Sequence, residues 1–155
     1  MIVSTINADR ESLPLDQLYE ADEIAWLEIM AEIVEQGRFD ELDTVHLSEF
    51  LTDMALRERR EVYSRLVVLL AHLLKWDHQP EKRSGSWQAT LMHQRLEVRM
   101  LLESKTLRNH AEIILDDAYS DAVQSATAET GLDVETFPKM CPYLVADLIA
   151  KADPN

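Results

Sequence analysis

The sequence predicts an all-α fold: a single helical bundle of about four main helices plus a short C-terminal helix. Its 155 residues fit one domain, and 46% of them are hydrophobic, which is enough to fill one core. Only 3 glycines and 5 prolines are present, whereas β-sandwiches and β-barrels carry a turn signal about every 8–12 residues. The scarcity of turn residues therefore leaves helices as the expected elements.

The first two predicted helices are separated by an acidic turn. Residues 15–36 contain good helix formers and no breaker, and the glycine that follows favours a left-handed cap. Asp40 or Asp43 is then placed to cap a helix over residues 44–76, which contains neither glycine nor proline. This second stretch predicts either one long helix or two abutting helices that meet near residues 52–56.

Breakers and caps also bound the next two helices. The tract DHQPEKRSGS, residues 77–86, is the one substantial internal loop because it combines proline and glycine with serine and aspartate. Residues 87–103 predict the third helix. Ser104 is placed to cap a fourth helix that continues to Thr130, where Gly131 ends it.

The C-terminal part predicts one more short helix, with Pro142 in its first turn. We expect one domain over residues 14–152 and a flexible tail over residues 1–13. The single cysteine, Cys141, excludes an internal disulfide and favours a cytoplasmic location. No membrane contact is expected, because the longest apolar run, residues 66–74, is half of the roughly 20 residues that span a bilayer.

Charge is distributed unevenly along the chain, which carries −14 in total. Residues 1–54 carry 2 basic and 14 acidic groups, residues 55–110 carry 11 and 6, and residues 111–155 carry 2 and 9. The total charge disfavours binding to nucleic acid and to anionic membranes. The basic middle segment is suited either to pairing with the acidic ends or to a local anion site.

Several polar side chains fall on predicted core-facing stripes. In the first helix Asp22 lies one turn before Trp26, and in the second helix Arg59 shares the stripe that Leu51 and Ala55 begin. An unpaired buried charge costs several kcal/mol, so each group must reach water, find a partner or line a cleft. All three outcomes are compatible with the pattern.

The third helix repeats this pattern, with Gln94 inside its stripe and Arg95 at the edge. Trp87 lies two turns before them, next to the loop that contains Lys82 and Arg83. An aromatic ring and guanidinium groups can stack and hold a phosphate or a carboxylate. Ordinary packing with a surface ion pair is the alternative interpretation.

Motifs for catalysis are missing from the sequence, which leans against an enzyme. It has no GxGxxG, P-loop, HExxH, CxxC or GxSxG pattern. The histidines are scattered, so we expect no metal site, and no cofactor is implied. The basic residues are interleaved with glutamates, which weakens a nucleic-acid reading. That reading would use five residues: Arg57, Arg59, Arg60, Lys82 and Arg83.

The run LLAHLLKWDHQPEKRSGSWQATLMHQR, with GRFDELD before it and ETGLDVETFPKMCPY after it, resembles the bacterial domain of unknown function family twenty-nine. The resemblance covers nearly the whole chain. The residues that carry it are Asp22, Trp26, Glu49, His72, Lys75, Trp76, Pro80, Arg83, Ser86, Trp87, Gln94 and Arg95. The chain departs from the family pattern at Phe50, Thr52 and Ala55, where we would expect a glutamate, an acidic residue and a glycine. The resemblance implies an all-helical cytoplasmic protein and no particular activity.

Three functional hypotheses follow. The first is a non-enzymatic interaction module that binds an unknown protein partner or forms a homo-oligomer. The second is an enzyme or anion-binding protein with a cleft lined by Asp22, His72, Arg83, Trp87 and Arg95. The third is nucleic-acid binding through the basic middle segment. The candidate polar cluster or ligand site comprises Asp22, Trp26, Glu49, Arg59, His72, Trp76, Arg83, Trp87, Gln94 and Arg95.

Overall fold

Six α-helices make up most of the protein in a computed structural model that describes residues 13–150. The helices are α1 (Leu15–Ala21), α2 (Glu23–Glu35), α3 (Thr44–His78), α4 (Gly85–Leu101), α5 (Lys105–Thr130) and α6 (Val145–Leu148). Three single 3₁₀ turns lie in the connections, and residues 13–150 contain no strand. The predicted all-α class is confirmed. Most of the predicted tail, residues 1–12, lies outside the described residues.

The first predicted helix is divided into two at Asp22, so the prediction of one continuous helix here is wrong. Asp22 ends α1 with φ −153° and ψ 82°, and its carboxylate accepts a hydrogen bond from the backbone N–H of Ala25 at 3.1 Å. Aspartate is among the best N-cap residues because its side chain satisfies an otherwise unpaired N–H group. Asp22 is therefore the N-cap of α2 instead of a charge in the middle of a helix.

The other predicted caps agree closely with the structure. The Asp43 carboxylate accepts from the N–H of His46 at 3.3 Å at the start of α3, and that helix continues without interruption through residues 52–56. Ser104 caps α5, which ends at Gly131 with φ +72°. Only glycine adopts that left-handed conformation without a steric penalty. Helix α4 begins two residues earlier than predicted because Ser84 caps it.

Pro142 does not begin the last helix, which corrects the prediction made for it. Helix α6 starts at Val145, and Leu144 is its N-cap. The preceding segment is held in a non-helical conformation by two tyrosines: Tyr119 donates to the backbone oxygen of Pro138 at 2.6 Å, and Tyr143 donates to Asp77 at 2.6 Å. These hydrogen bonds override the local preference of the proline.

Backbone contacts group the chain into two compact units that divide between Ala55 and Leu56, inside α3. The core of the first unit is Leu18, Ala25, Trp26, Met30 and Ile33, from α1 and α2. The core of the second unit joins residues of α3 from Val62 onward to residues of α4, α5 and α6 in a helical bundle. The prediction of one domain over residues 14–152 stays a prediction.

The central turns of α3 do not belong to either core, which corrects the predicted core-facing stripe. Leu51 is 57% exposed, Ala55 is exposed and Arg59 is only half-buried, so the buried stripe begins at Val62. A helical stripe becomes core only where another element packs against it. Within residues 13–150 no helix is both long and apolar enough to cross a bilayer.

Candidate functional site

Trp26 is the centre of a polar and aromatic network in the first unit. Its side chain is completely buried, in the first turn of α2. A buried indole N–H requires an acceptor. The Nε1 group donates to Oδ2 of Asp43 at 3.1 Å, so the residue that caps α3 also satisfies the tryptophan of α2.

His46 completes a dyad with Asp43. Its Nδ1 lies 2.7 Å from Oδ2 of Asp43, and its backbone N–H donates to Oδ1. Burial opposes ionisation of Asp43, but the hydrogen bonds from His46 and Trp26 outweigh it, and the pKa of Asp43 lies below its ordinary value. Because an ionised carboxylate only accepts, Nδ1 of His46 carries the proton. In the neutral imidazole, Nε2 is then the acceptor.

Tyr19 of α1 closes the network on its other side. Its ring meets Trp26 edge to face at 4.8 Å and stacks on the His46 ring at 4.4 Å. Partial burial and then the negative charges of Glu49 and Glu23 raise the pKa of Tyr19. The tyrosine therefore stays neutral over the physiological pH range.

The network joins α1, α2 and α3 of the first unit. Trp26 and His46 supply the hydrogen-bond donors, Asp43 supplies the acceptor, and Tyr19 packs on both rings. Asp43 accepts three hydrogen bonds with two oxygens, and the Tyr19 ring covers one face of the histidine. Sequence reasoning found Trp26 and named Asp43 as a possible cap but missed Tyr19 and His46. The spacing of His46 could have indicated its role. It lies three residues after Asp43, the position whose backbone N–H binds the oxygen of a capping side chain.

The lowered pKa of Asp43 predicts that the first unit loses stability in acid. A group whose native pKa is depressed stabilises the fold above its unfolded pKa, and this contribution disappears as pH falls through the native value. Asp43→Asn is expected to cost about 1 kcal/mol at neutral pH, because the amide keeps the cap but loses an acceptor for Trp26. The difference from the wild type should shrink below about pH 4.

Urea denaturation from pH 7 to pH 3 measures this effect. Asp40→Asn is the matched control because Asp40 is an exposed residue of the same connection. A constant difference between wild type and Asp43→Asn over the whole pH range would contradict the role of the ionised carboxylate.

Lys75 is the centre of the main polar cluster in the second unit. This lysine is buried, with 5% of its surface exposed. The Lys75 ammonium pairs with Glu129 of α5 and lies 5.5 Å from the ring centroid of Trp87 of α4. The hydrogen bond from Lys75 is the main reason that the pKa of Glu129 is lowered. A buried lysine needs such a counter-charge, and the aromatic face adds a cation–π contact.

Two predicted site residues next to this cluster bond to backbone oxygens of α3. Arg83 donates from Nε to the carbonyl of Trp76 at 2.9 Å, and its guanidinium lies 4.8 Å from the Trp76 ring centroid. His72 Nδ1 lies 2.9 Å from the carbonyl of Val68. The prediction paired an arginine with Trp87; the structure instead places the Arg83 guanidinium over Trp76, and the cation over Trp87 is Lys75.

Gln94 and Arg95 of α4 border the core, as predicted from their helical phase. Gln94 is 9% exposed, and its Oε1 has no hydrogen-bond partner within the described residues. Arg95 donates from one terminal nitrogen to the carbonyl of Asp147 at 3.3 Å, whereas its buried Nε is unpartnered there. Arg95 thereby connects α4 to the helix α6.

A groove of the second unit lies between α5 and the segment before α6. It has a volume of about 550 Å³ and includes Tyr119, Phe137, Lys139, Met140 and Cys141 in its lining. None of the ten predicted site residues lines it. Burial raises the pKa of Cys141, so its thiol stays protonated and is a poor nucleophile.

Helix α4 also carries an apolar stripe on the side opposite its core face. Met92, Leu96 and Met100 recur every four residues and are 50%, 41% and 59% exposed, and exposed Ala89 extends the stripe by one turn. Four-residue spacing places them on one line along the helix. Sequence reasoning considered only the core stripe of this helix, although the second stripe has the same period.

The ten predicted site residues are divided between the two units. Three of them, Asp22, Trp26 and Glu49, belong to the first unit, and of these Trp26 is in the polar network, Asp22 is a cap and Glu49 is exposed. The other seven are Arg59, His72, Trp76, Arg83, Trp87, Gln94 and Arg95. Over residues 13–150 no group of three or more histidine, cysteine, aspartate or glutamate side chains is arranged to hold a metal ion.

The structure is that of an all-α protein in which each tryptophan contacts a charged side chain. Trp26 donates to Asp43, Trp76 lies under Arg83, and Trp87 lies under Lys75. The chain belongs to the family described as Domain of unknown function DUF29, whose model matches residues 18–152. No curated protein and no solved structure matches the sequence. The description of the family assigns it no activity.

Proposed function

We propose that this protein is a cytoplasmic, non-enzymatic interaction module and that the apolar stripe of α4, Ala89, Met92, Leu96 and Met100, is its binding surface. The observation that carries the proposal is the exposure of three large apolar side chains in one line. Exposed apolar side chains grouped along one line, unlike those scattered singly, mark binding sites. Methionines are well suited to such surfaces because their flexible side chains adapt to a partner.

The charges beside the stripe specify the kind of partner. His93 and Arg99 flank the stripe on its two sides, and the segment 55–110 that contains it is the basic part of the chain. A helix that lays its apolar face on this stripe would meet the guanidinium of Arg99 at one edge, and His93 with its neighbour Glu97 at the other. The partner that fits is an amphipathic helix whose apolar face is bordered by glutamate or aspartate on the side of Arg99.

The polar side chains of the second unit support a role without catalysis. Lys75 pairs with Glu129, and Arg83 binds the carbonyl of Trp76. Groups that satisfy one another in this way stabilise and specify the packing of a core. The free thiol of Cys141 is compatible with the proposed reducing compartment.

Fluorescence anisotropy with the full chain tests the proposal. The probe is a labelled synthetic amphipathic helix with leucine on one face and glutamate at both edges, and the second probe is the same peptide with lysine at the edges. We expect the glutamate peptide to bind more tightly. Leu96→Glu should weaken binding at least about tenfold because it places a carboxylate in the middle of the stripe.

Ile113→Glu is the matched control, since Ile113 is an apolar residue of α5 that is 80% exposed. Both variants change an exposed side chain to glutamate, so their stability should change by no more than about 0.5 kcal/mol. Equal loss of affinity in the two variants, or equal binding of the two peptides, would refute the assigned surface.

A further inference from the structure

The groove between α5 and the segment before α6 has one wall made of two adjacent lines of α5 residues. Asp116, Ser120 and Gln124 follow one another at four-residue steps and are exposed. Tyr119 and Val123 lie beside them and are buried. Residues four apart lie on one side of a helix, so this wall has a polar outer edge and an apolar inner edge.

The opposite wall is held in place by contacts within the second unit. Tyr119 donates to the backbone oxygen of Pro138 at 2.6 Å, and the thiol of Cys141 donates to the backbone oxygen of Tyr143 at 3.4 Å. The ring of Phe137 is buried and meets His78 edge to face at 5.2 Å. These contacts give the groove its shape without a ligand, as is usual for small-molecule sites.

The size and the lining of the groove suit an aromatic molecule. Its volume of about 550 Å³ lies within the range of about 300–1,000 Å³ that small-molecule sites occupy. Tyr119, Val123 and Phe137 supply an apolar floor, and Met140 and Cys141 supply sulfur atoms at its edge. Sulfur atoms contact aromatic rings favourably.

The charges around the groove favour a cation. Asp116 is exposed, and no ion pair within residues 13–150 engages its carboxylate. Lys139 of the opposite wall lies 4.0 Å from Glu135, which offsets its charge. The sequence has no lysine or arginine between Arg108 and Lys139. Over the same stretch α5 carries acidic residues on every side: Glu112, Asp116, Asp117, Asp121 and Glu129. The groove therefore lies in a negative potential, which attracts cations.

We propose that this groove binds a small organic cation, with an aromatic ring on the floor of Tyr119, Val123 and Phe137 and an ammonium group beside Asp116. The site is separate from the α4 stripe and does not depend on the proposed function. An aromatic carboxylate of the same size is disfavoured, because its charge would lie against Asp116.

A titration followed by two-dimensional ¹H–¹⁵N NMR tests the site with two probes of equal size. Tryptamine carries an ammonium group, and tryptophol has a hydroxyl group in its place. We expect tryptamine to bind with a dissociation constant of about 1 mM, which is ordinary for a ligand of this size. The amide signals of Ser120, Gln124 and Met140 should shift, and those of Met92 and Leu96 in the α4 stripe should not. Because the ion pair is exposed to water, tryptophol should bind only about two- to fivefold more weakly.

Asp116→Asn isolates the role of the carboxylate. It should lower the affinity for tryptamine to that for tryptophol and leave the affinity for tryptophol unchanged. Asp117→Asn is the matched control, since Asp117 is also exposed, is the next residue of α5 and does not line the groove. The same spectra show whether each variant is folded.

Three results would overturn the inference. They are the absence of shifts in the groove at about 5 mM tryptamine, equal affinities of the wild type for the two probes, and an equal loss of tryptamine affinity in the two variants. Binding of the glutamate peptide to the α4 stripe is measured separately, so either proposal can fail while the other stands.

Discussion

Trp26→Ala is expected to destabilise the first unit by about 3–5 kcal/mol. Within residues 13–150, the substitution removes the only side chain larger than leucine among those that are fully buried. It also leaves Asp43 without one of its donors and removes the ring against which Tyr19 packs. Hydrogen exchange followed by mass spectrometry should show faster exchange in peptides from α1 and α2, with α5 peptides as the internal reference.

Trp26→Phe separates the contribution of volume from that of the hydrogen bond. Phenylalanine retains most of the apolar surface but has no N–H group, so we expect a smaller loss than for alanine. An alanine variant whose α1 and α2 amides exchange at the wild-type rate would show that the network does not hold the first unit together.

Glu129→Gln is expected to destabilise the second unit by about 1–3 kcal/mol, because it leaves the buried ammonium of Lys75 without its counter-charge. The Trp87 ring and the amide oxygen of the new side chain compensate only in part. Thermal unfolding at neutral pH measures the loss. Glu112→Gln, a neutralisation of an exposed glutamate on the same helix, is the matched control.

Lys75→Met gives the complementary measurement. Methionine is apolar and flexible, so it can fill the buried site without leaving a charge there. We expect Lys75→Met combined with Glu129→Gln to be more stable than Glu129→Gln alone. A double variant that is less stable than Glu129→Gln would contradict the view that the buried charge, and not the lost packing, causes the destabilisation.

Much of the helix pattern is determined locally and was therefore predictable. Helix ends depend on contacts within a few residues. Asp43 and Ser104 each accept a hydrogen bond from a nearby backbone N–H group, and Gly131 adopts a left-handed conformation. The break at Asp22 was missed because apolar periodicity continues across it. Apolar periodicity alone therefore does not reveal a helix break, and the capping residue inside the periodic run must be considered as well.

The polar clusters were predictable only in part. Polar residues at the edge of a core-facing stripe, such as Gln94 and Arg95, were predictable because the phase of a residue is a property of one helix. Their partners were not, since Glu129 is 54 residues from Lys75 and Tyr143 is 66 residues from Asp77. No rule of local spacing joins residues at that separation.

By itself, the sequence determined the all-helical class, most helix ends and the separation of charge, because each depends on composition or on interactions within one or two turns. The tertiary structure alone decided which apolar stripe became core and which stayed exposed. Leu51 and Val62 belong to the same predicted stripe, yet only Val62 is covered, and α4 carries two stripes of which one is buried. Burial depends on which elements meet, and the pattern of a single helix does not specify its neighbours.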